Sequence, residues 1–249
     1  MVAREYANKH LVTGVRDTGY DGGESGGRDL NLPFQIRKPL FIPTSNTKLW
    51  LPLDDNRGST ALKDRSGNGL DATGIGITWV RNTKGIWCAS LDGVNDYISL
   101  PTNSALNVGD YWTLMAWIYA RETTGSIIAE GTGVGFTNGL DVNLYTGKIR
   151  ITKIDAAHVL QATNDLTTET WILITTREDD DDFEIFYNAT SQGSVTDAGR
   201  DFDGQVNLVG NGQYTFFKTY LSMLRWFNTA VTDTYVEQVY NRERSLFGV

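Results

Sequence analysis

The sequence predicts an all-β fold, an antiparallel jelly-roll sandwich with an extended N-terminal arm and one short C-terminal helix. Short apolar runs recur from Lys48 onward, separated by segments rich in Gly, Asn and Asp. Many runs alternate apolar and polar residues, as in KIRITK and FEIFY, which is typical of strands with one buried and one solvent-facing side. Helical periodicity is almost absent. Many closely spaced strands without intervening helices indicate two packed antiparallel sheets.

The predicted strands follow these apolar runs in chain order. They are KLWLPL, ITWV, IWCASL, DYISL, WTLMAWIYA, SIIAE, LDVNLY, KIRITK, HVLQAT, WILITT, FEIFY, QVNLVG and FKTYLSMLRWF. The connecting segments TGVGFTNG, YTGK and GNGQ contain residues that tolerate positive φ, which predicts turns. The segment TDTYVEQVYNRER is the predicted helix, with Thr232 as its N-cap and with Val236, Val239 and Tyr240 on one face.

Residues 1–46 form the predicted arm, and residues 47–249 form the predicted jelly-roll domain. The stretch RDTGYDGGESGGRDLNLP is rich in Gly and has few large aliphatic residues, so it cannot bury enough apolar surface to offset its ordering entropy. We therefore expect the arm to bind other protein subunits. Its large side chains are the candidate partner-binding residues, namely Tyr6, Leu11, Tyr20, Leu30 and Phe34.

Charge and composition exclude several classes of partner. The formal net charge is −8 and the pI is near 4.8, which argues against binding nucleic acid or an anionic membrane. No apolar run approaches the length of a membrane span, and the first residues lack the apolar core of a secretion signal. Cys88 lies in the strand-like segment GIWCASLDG, which predicts a buried thiol rather than a reactive one.

Several segments, taken in order, resemble a known domain. They are LWLPLDD, LKDRSGNGLDATG, GIWCASLDGVNDYISLP, WTLMAWIYA and the closing LSMLRWFNTAVTDTYVEQVYN. Their order and spacing resemble the laminin-G-like jelly roll of the concanavalin A-like lectin/glucanase fold, over about residues 47–243. The resemblance implies an antiparallel sandwich whose loops carry the functional residues.

The polar loop DRSGNG has two interpretations. Asp64, Ser66 and Asn68 suit hydrogen bonding to nearby backbone groups, and Gly67 and Gly69 suit positive φ, which predicts a structural staple. The resemblance also implies Ca²⁺ near such loops, for which Asp64 and Asp92 are the candidate ligands. Against the metal, Ser222 stands near the last strand, where a carboxylate would help to bind it.

Exposed aromatic residues beside polar loops are the candidate sugar-binding groups, because lectin-like folds use such side chains as stacking platforms. Tyr111 in GDYW and Tyr214 in GNGQYTFF fit this description, with packing against the core or its rim as the alternative. Glucanases of this fold carry paired carboxylates on one strand. The nearest segment, GLDVNLY, has one carboxylate, and the acidic run in REDDDDFE is interpreted as a solvated hairpin turn. We therefore predict that the chain is not an enzyme.

Two functions are compatible with these features. The first is a non-enzymatic structural or interaction protein of a larger assembly, an externally exposed virion protein (head decoration or tail) made in the host cytoplasm and anchored by its arm. The missing secretion signal favours it, because most proteins with this domain act outside the cell. The alternative is a carbohydrate-binding, lectin-like module. Fold alone does not choose between them.

Overall fold

The computed structural model describes residues 41–54, 59–130, 139–153, 158–197, 202, 204–212 and 215–249. The chain divides into two units, Met1–Pro39 and Leu40–Val249, and all the described residues belong to the second. The candidate partner-binding residues Tyr6, Leu11, Tyr20, Leu30 and Phe34 therefore lie outside the described residues, and their role stays a prediction.

The described residues form two antiparallel sheets and one C-terminal helix, which confirms the predicted fold class. In chain order the elements are β1 (Thr47–Leu51), β2 (Ala61–Leu62), β3 (Ala72–Ile75), β4 (Thr78–Arg81), β5 (Trp87–Asp92), β6 (Tyr97–Ser99), β7 (Tyr111–Ala120), β8 (Gly125–Ala129), β9 (Leu140–Tyr145), β10 (Lys148–Lys153), β11 (His158–Gln161), β12 (Trp171–Asp179), β13 (Asp182–Tyr187), β14 (Thr190–Thr196), β15 (Leu208–Val209), β16 (Lys218–Phe227) and α1 (Asp233–Phe247). A short 3-10 turn at Ser104–Leu106 lies between β6 and β7.

Strand order defines a front sheet and a back sheet. The front sheet has the order β11-β10-β9-β8-β15-β6-β3-β2, and the back sheet has the order β14-β13-β12-β7-β16-β5-β4, with β1 also paired to β16. Neighbouring strands are often distant in sequence, as β7 and β16 are. The predicted alternation is confirmed, since each sheet directs one row of apolar side chains into the space between the sheets.

The outer face of the back sheet is also buried, because α1 covers part of it. Thr232 accepts a hydrogen bond from the Tyr235 amide at 3.2 Å, as an N-cap should, and Gly248 ends the helix with a φ of 77°. Val236, Val239 and Phe247 pack on this face of the sheet. No helix of the described residues has both the length and the hydropathy needed to cross a bilayer.

Three strands were not predicted from the sequence. β2 and β3 are short and flank the DRSGNG loop, and the edge strand β14, TSQGSVT, lacks an apolar run. The predicted hairpin in REDDDDFE is present, with Asp180 and Asp181 at φ values of 52° and 72° between β12 and β13. These two positive φ values match a two-residue hairpin turn.

Packing of the domain begins before residue 47. Phe41 is buried, with its ring centroid 4.9 Å from that of Trp50 and 6.2 Å from that of Phe227. The guanidinium carbon of Arg225 lies 4.4 Å from the Phe41 ring centroid. The last residues assigned to the arm thus include a side chain that packs on β1 and β16.

Cys88 is fully buried on β5, as its strand-like context predicts. Burial raises the pKa of its thiol to about 12, although a hydrogen bond with Ser222 opposes the shift. Only the thiolate is nucleophilic. We therefore expect the folded protein to resist alkylation by iodoacetamide at pH 8, and the unfolded protein in guanidinium chloride to react fully. Rapid labelling under native conditions would contradict this assignment.

Candidate functional site

The DRSGNG loop is a dense hydrogen-bond staple centred on Asp64. Asp64 Oδ1 accepts from the Trp50 amide at 3.0 Å and the Ser66 amide at 2.8 Å, while Oδ2 accepts from Ser66 Oγ at 2.7 Å and the Leu70 amide at 3.0 Å. Asn68 Nδ2 donates to the carbonyl oxygens of Thr47 and Lys48 on β1 at 2.9 and 3.1 Å. The loop therefore ties β1 to the segment between β2 and β3.

Both glycines of this loop adopt the predicted backbone conformation. Gly67 has a φ of 94° and Gly69 a φ of 71°, and a Cβ built on either would meet nothing within 4 Å. A side chain at these positions would thus be opposed by backbone strain alone.

Asp92 has a different, equally local role. Its Oδ1 accepts from the amides of Val94, Asn95 and Asp96 at 2.7, 3.2 and 3.4 Å. These backbone hydrogen bonds, the one from Val94 above all, lower the pKa of the Asp92 carboxyl. Burial, in contrast, raises the pKa of Asp96, whose Oδ2 accepts from the Asp92 amide at 3.0 Å.

The two candidate calcium ligands do not meet. Asp64 binds the amide of Trp50, which pairs with Arg225, whereas Asp92 pairs with Lys218 at the other end of β16. Seven residues of strand correspond to roughly 20 Å, too far for one ion. Within the described ranges, no group of three or more His, Cys, Asp or Glu could hold a metal.

Ser222, which the sequence placed near the missing ligand position, is buried and donates to the Pro52 carbonyl at 3.2 Å. The carboxylate oxygens of Asp64 are occupied by N–H and O–H donors, which repel a cation. The residues present do not fit a shared calcium site, and the loop suits its hydrogen-bonded interpretation.

Of the two predicted sugar-binding tyrosines, Tyr111 lies within the described residues. Tyr111 begins β7 and is 48% exposed, and the negative charges of Asp180, Asp179 and Asp110 raise the pKa of its phenol. Tyr214 lies outside the described residues. The structure does not bring Tyr111 to the front sheet, since β7 lies within the back sheet.

A cluster of polar side chains occupies the outer face of the front sheet, the side turned away from the core. Leu140, Val142 and Leu144 of β9 point into the core, so Asp141 and Asn143 point outward. The same alternation on β10 turns Ile149 and Ile151 inward and the residues between them outward. We call the outward set on β8 to β11 the polar face, and it comprises Ser126, Asp141, Asn143, Arg150, Thr152 and Gln161.

The centre of the polar face is buried and hydrogen-bonded. Ser126, Asp141, Asn143 and Thr152 have no exposed surface. Ser126 Oγ donates to Asp141 Oδ2 at 3.1 Å, and Asn143 Nδ2 donates to Thr152 Oγ1 at 3.0 Å and to the Asp141 carbonyl at 3.3 Å. The contact with that carbonyl fixes the orientation of the Asn143 amide, because a flip would oppose two oxygens.

The side-chain oxygen of Asn143 is unsatisfied within the described part of the chain. Asn143 Oδ1 is buried and accepts no hydrogen bond from any described residue. A buried polar atom without a partner costs about 1–3 kcal/mol. Thr175 Oγ1 and Trp226 Nε1 of the back sheet share this state, so it is the position of Asn143 in an outward polar cluster that makes its oxygen a candidate acceptor.

Half-exposed side chains flank the buried centre on both sides. On β10 and β11, Arg150 Nε donates to Gln161 Oε1 at 2.6 Å, and the Arg150 guanidinium lies 4.0 Å from the Tyr145 ring centroid. On the other side, the rings of Tyr97 and Phe216 are in tilted contact at 6.3 Å. Only one strand separates β8 from β6, which corresponds to about 10 Å between Ser126, at the near edge of the buried centre, and this aromatic pair.

The segment after β15 crosses this face. A Cβ on Gly212 would lie 2.6 Å from the Ser126 side chain and 2.7 Å from Ala129, so only glycine fits there. The Ser126 amide donates to the Thr215 carbonyl at 3.2 Å. Gly212 and Thr215 border residues 213 and 214, so the chain on either side of the predicted Tyr214 contacts β8.

The sequence contained a weak signal for this site. LDVNLY alternates apolar residues with Asp and Asn, which indicates polar side chains on one face of a strand. An interpretation of that strand only as a possible glycosidase strand does not identify Asn143 as a site residue. No local sequence pattern predicts that this row of polar side chains is buried. Arg150 and Gln161 fall on alternating strands that were predicted, but their contact depends on the pairing of β10 with β11.

Comparison with known proteins agrees with this architecture. No curated protein sequence is a significant match. The chain is similar in structure to the binding domain of Paraclostridial Mosquitocidal Protein 1, with a TM-score of 0.63 and 16% identity over 79% of this chain and 52% of that one. It thus spans about half the length of that domain.

Two further similar structures come from glycan-related proteins. Domain 4 of AbnA, a GH43 extracellular arabinanase from Geobacillus stearothermophilus, in complex with arabinotriose, has a TM-score of 0.62 and 16% identity, over 78% of this chain and 98% of that one. Trypanosoma rangeli sialidase in complex with sialic acid has a TM-score of 0.62 and 13% identity, over 84% of this chain and 35% of that one. At these identities the likeness shows the fold.

The family follows from the sequence itself. The Laminin_G_3 profile, described as the concanavalin A-like lectin/glucanases superfamily, matches residues 92–237, which is more than half of the chain. This span runs from the end of β5 into α1 and includes the whole polar face. The chain therefore belongs to the concanavalin A-like lectin/glucanase superfamily.

Proposed function

We propose that this chain is a lectin-like binding module that recognises a carbohydrate on the outer face of its front sheet. The observation that carries the proposal is the buried, unsatisfied Asn143 Oδ1 in a polar cluster turned away from the core. A similar structure, the arabinanase domain, is a complex with arabinotriose, which supports this class of ligand.

The chemistry of the polar face suits a sugar. Ring hydroxyls both donate and accept hydrogen bonds, which suits the partly exposed Arg150 and Gln161 beside the buried centre. Asn143 itself has no exposed surface, so a hydroxyl would reach the unpaired Oδ1 only after a local rearrangement of the chain that covers it. Half-exposed rings at Tyr97 and Phe216 offer apolar surface about 14 Å from Asn143, three strand spacings along the sheet, a span that suits a short oligosaccharide. Fixed polar groups beside aromatic surface are the usual composition of a small-ligand site.

Binding without catalysis is the proposed mode. Retaining and inverting glycosidases use two carboxyl groups about 5–9.5 Å apart. The residues paired with Asp141 on the neighbouring strands are Ala129 and Thr152, and neither carries a carboxylate. Asp141 is itself buried and accepts a hydrogen bond from Ser126. We therefore expect no turnover of bound glycans.

The predicted role as a virion component concerns a different part of the chain. It depends on the arm, whose residues 1–40 lie outside those described. The similar structures are mainly binding domains, which supports the lectin-like function more than the assembly function. Anchoring by the arm remains a separate proposal that is compatible with both the lectin-like function and the assembly function.

Titration with neutral and acidic oligosaccharides, followed by calorimetry, tests the binding function. We expect Tyr97→Ala to weaken binding of whichever oligosaccharide the wild type binds by at least about tenfold, equivalent to about 1.4 kcal/mol. Tyr111→Ala is the matched control, because Tyr111 is an exposed tyrosine on the other sheet and the competing candidate. Loss of binding in Tyr111→Ala with unchanged binding in Tyr97→Ala would refute the front-sheet site. The absence of binding to any oligosaccharide would refute the proposed function.

A further inference from the structure

Arg150 is held in one orientation at the rim of the polar face. Its Nε donates to Gln161 Oε1 at 2.6 Å, and its guanidinium carbon lies 4.0 Å from the Tyr145 ring centroid. The hydrogen bond fixes one edge of the planar group, and the ring supports one of its faces. Side-chain freedom that a surface arginine normally retains is therefore already restricted before any ligand binds.

The terminal nitrogens of Arg150 are not used by the described part of the domain. No described residue accepts a hydrogen bond from its Nη1 or Nη2, and none forms an ion pair with it. Three other described arginines differ. Arg177 pairs with Glu184 and Asp233, and Arg225 pairs with Glu243. Arg121, also stacked on a tyrosine, donates through Nη2 to the Leu91 carbonyl at 2.5 Å.

The neighbours of Arg150 on this face are mostly neutral or cationic. Asn143 and Gln161 pair with it across the sheet. Lys148, two residues away on β10, donates to the Thr163 carbonyl at 2.6 Å and lies 3.8 Å from Asp165. Asp141 is the diagonal neighbour, and it is fully buried with a hydrogen bond from Ser126. An oriented cationic fork is thus presented on a chain whose net charge is −8.

We propose that Arg150 is a specificity residue that selects carbohydrates bearing a carboxylate, such as uronic acids, at the polar face. This inference rests on the proposed carbohydrate function. The guanidinium presents two parallel N–H donors, which match the two oxygens of a carboxylate, while the sugar hydroxyls reach the neighbouring, partly exposed amide of Gln161. A neutral sugar offers the fork only hydroxyl acceptors, which form weaker hydrogen bonds than a carboxylate does.

The test compares a pair of oligosaccharides that differ in one feature. Oligogalacturonate and its fully methyl-esterified form have the same sugar ring, and only the first carries charged carboxylates. We expect the wild type to bind oligogalacturonate at least about tenfold more tightly, since hydrogen bonds to charged groups are the stronger ones. The difference should shrink as NaCl rises from 50 to 500 mM, because salt screens exposed charges.

Three variants separate the contributions of charge, shape and position. Arg150→Gln should bind both forms equally. Arg150→Lys keeps the charge but lacks the planar fork, so it should retain only part of the preference. Arg121→Gln is the matched control, because Arg121 directly follows β7 and stacks on Tyr220 of the back sheet, away from the polar face. It should keep the full preference, and thermal melting curves should show that all three variants are folded.

The outcomes distinguish this inference from the proposed function. Equal binding of both forms by the wild type, with binding still lost in Tyr97→Ala, would overturn the carboxylate preference and leave the carbohydrate function standing. A preference that survives in Arg150→Gln would also overturn it. Failure of the wild type to bind these or any other oligosaccharides would overturn both.

Discussion

Replacing Glu243 with alanine should destabilise the domain by about 3–5 kcal/mol, the largest effect expected of any single substitution considered for this chain. Glu243 lies on the buried side of α1, with 1% of its side chain exposed, and it pairs with Arg225 of β16, whose side chain has no exposed surface. Its removal would leave a fully buried guanidinium without a counter-charge.

Several contacts depend on this one carboxylate. Glu243 Oε1 accepts from Arg225 Nη2, and Oε2 accepts from Arg225 Nη1 at 3.2 Å and from Trp117 Nε1 at 2.9 Å. The pair therefore joins α1 to two central strands of the back sheet, β16 and β7. Three donors would lose their acceptor together, which is why the loss exceeds that of an ordinary hydrogen bond.

Asp233 provides a matched control on the same helix. It pairs with Arg177, but 72% of its side chain is exposed. Exposed ion pairs contribute about 0–1 kcal/mol, so Asp233→Ala should shift the denaturation midpoint only slightly. Urea titrations of both variants, followed by tryptophan fluorescence, measure the difference.

A double substitution separates the contribution of the buried ion pair to stability from that of side-chain packing. Arg225→Met combined with Glu243→Leu removes both charges and retains apolar volume, so it should recover much of the stability lost in Glu243→Ala. A Glu243→Ala variant no less stable than Asp233→Ala would show that the buried pair does not hold α1 on the sheet.

Local sequence signals were sufficient for most strands but not for the edges. Apolar alternation in KIRITK or FEIFY predicts a strand because the pattern and the buried face coincide. β14 reads TSQGSVT and has little to bury, and β2 has two residues, so neither shows a pattern. Their pairing is imposed by their neighbours β13 and β3.

Burial of polar residues was the main feature that sequence could not predict. Asn143 and Arg225 occupy the polar positions of alternating strands, which normally face water. Arg225 is buried because α1 covers that face, and a β-bulge between Ser222 and Arg225 resets the alternation so that Leu221 and Leu224 both enter the core. Such effects depend on contacts between distant segments rather than on local pattern.

In the candidate site, too, the sequence predicted local hydrogen bonds but not contacts between distant segments. Asp64 was predicted correctly as a staple, because Asp, Ser, Asn and Gly within one short loop bond to their own backbone. The geometry does not support Asp64 and Asp92 as ligands of one shared ion, because the order of strands places the two carboxylates at opposite ends of β16. The polar face required the topology of the front sheet to be known.

Replacing Asp64 with alanine should destabilise the domain by about 2–4 kcal/mol, the second-largest effect expected. One carboxylate accepts four hydrogen bonds, and two of them come from the amides of Trp50 and Leu70 at the edge of the core. Each amide left without an acceptor costs about 1–3 kcal/mol, and the two penalties are not fully additive. Asp71→Ala is the control. Asp71 makes an exposed ion pair with Lys63 at 2.5 Å and accepts one exposed hydrogen bond from the Asp64 amide at 3.0 Å, which together should contribute about 1 kcal/mol.

Two further measurements test the same loop, namely the stability of a glycine variant and the effect of a chelator on Tm. Gly67→Val should cost at least about 1 kcal/mol of stability, because the φ of 94° at this position strains a β-branched residue while a Cβ there meets no neighbour.

A ligand that binds only the native state raises Tm by mass action, so a chelator lowers Tm when a bound metal contributes to stability. We expect EDTA to leave Tm unchanged, since both oxygens of Asp64 already accept from N–H and O–H donors. A fall in Tm with EDTA that Asp64→Ala abolishes would show a metal staple instead, and neutral Asp64→Ala and Gly67→Val variants would show a passive connector.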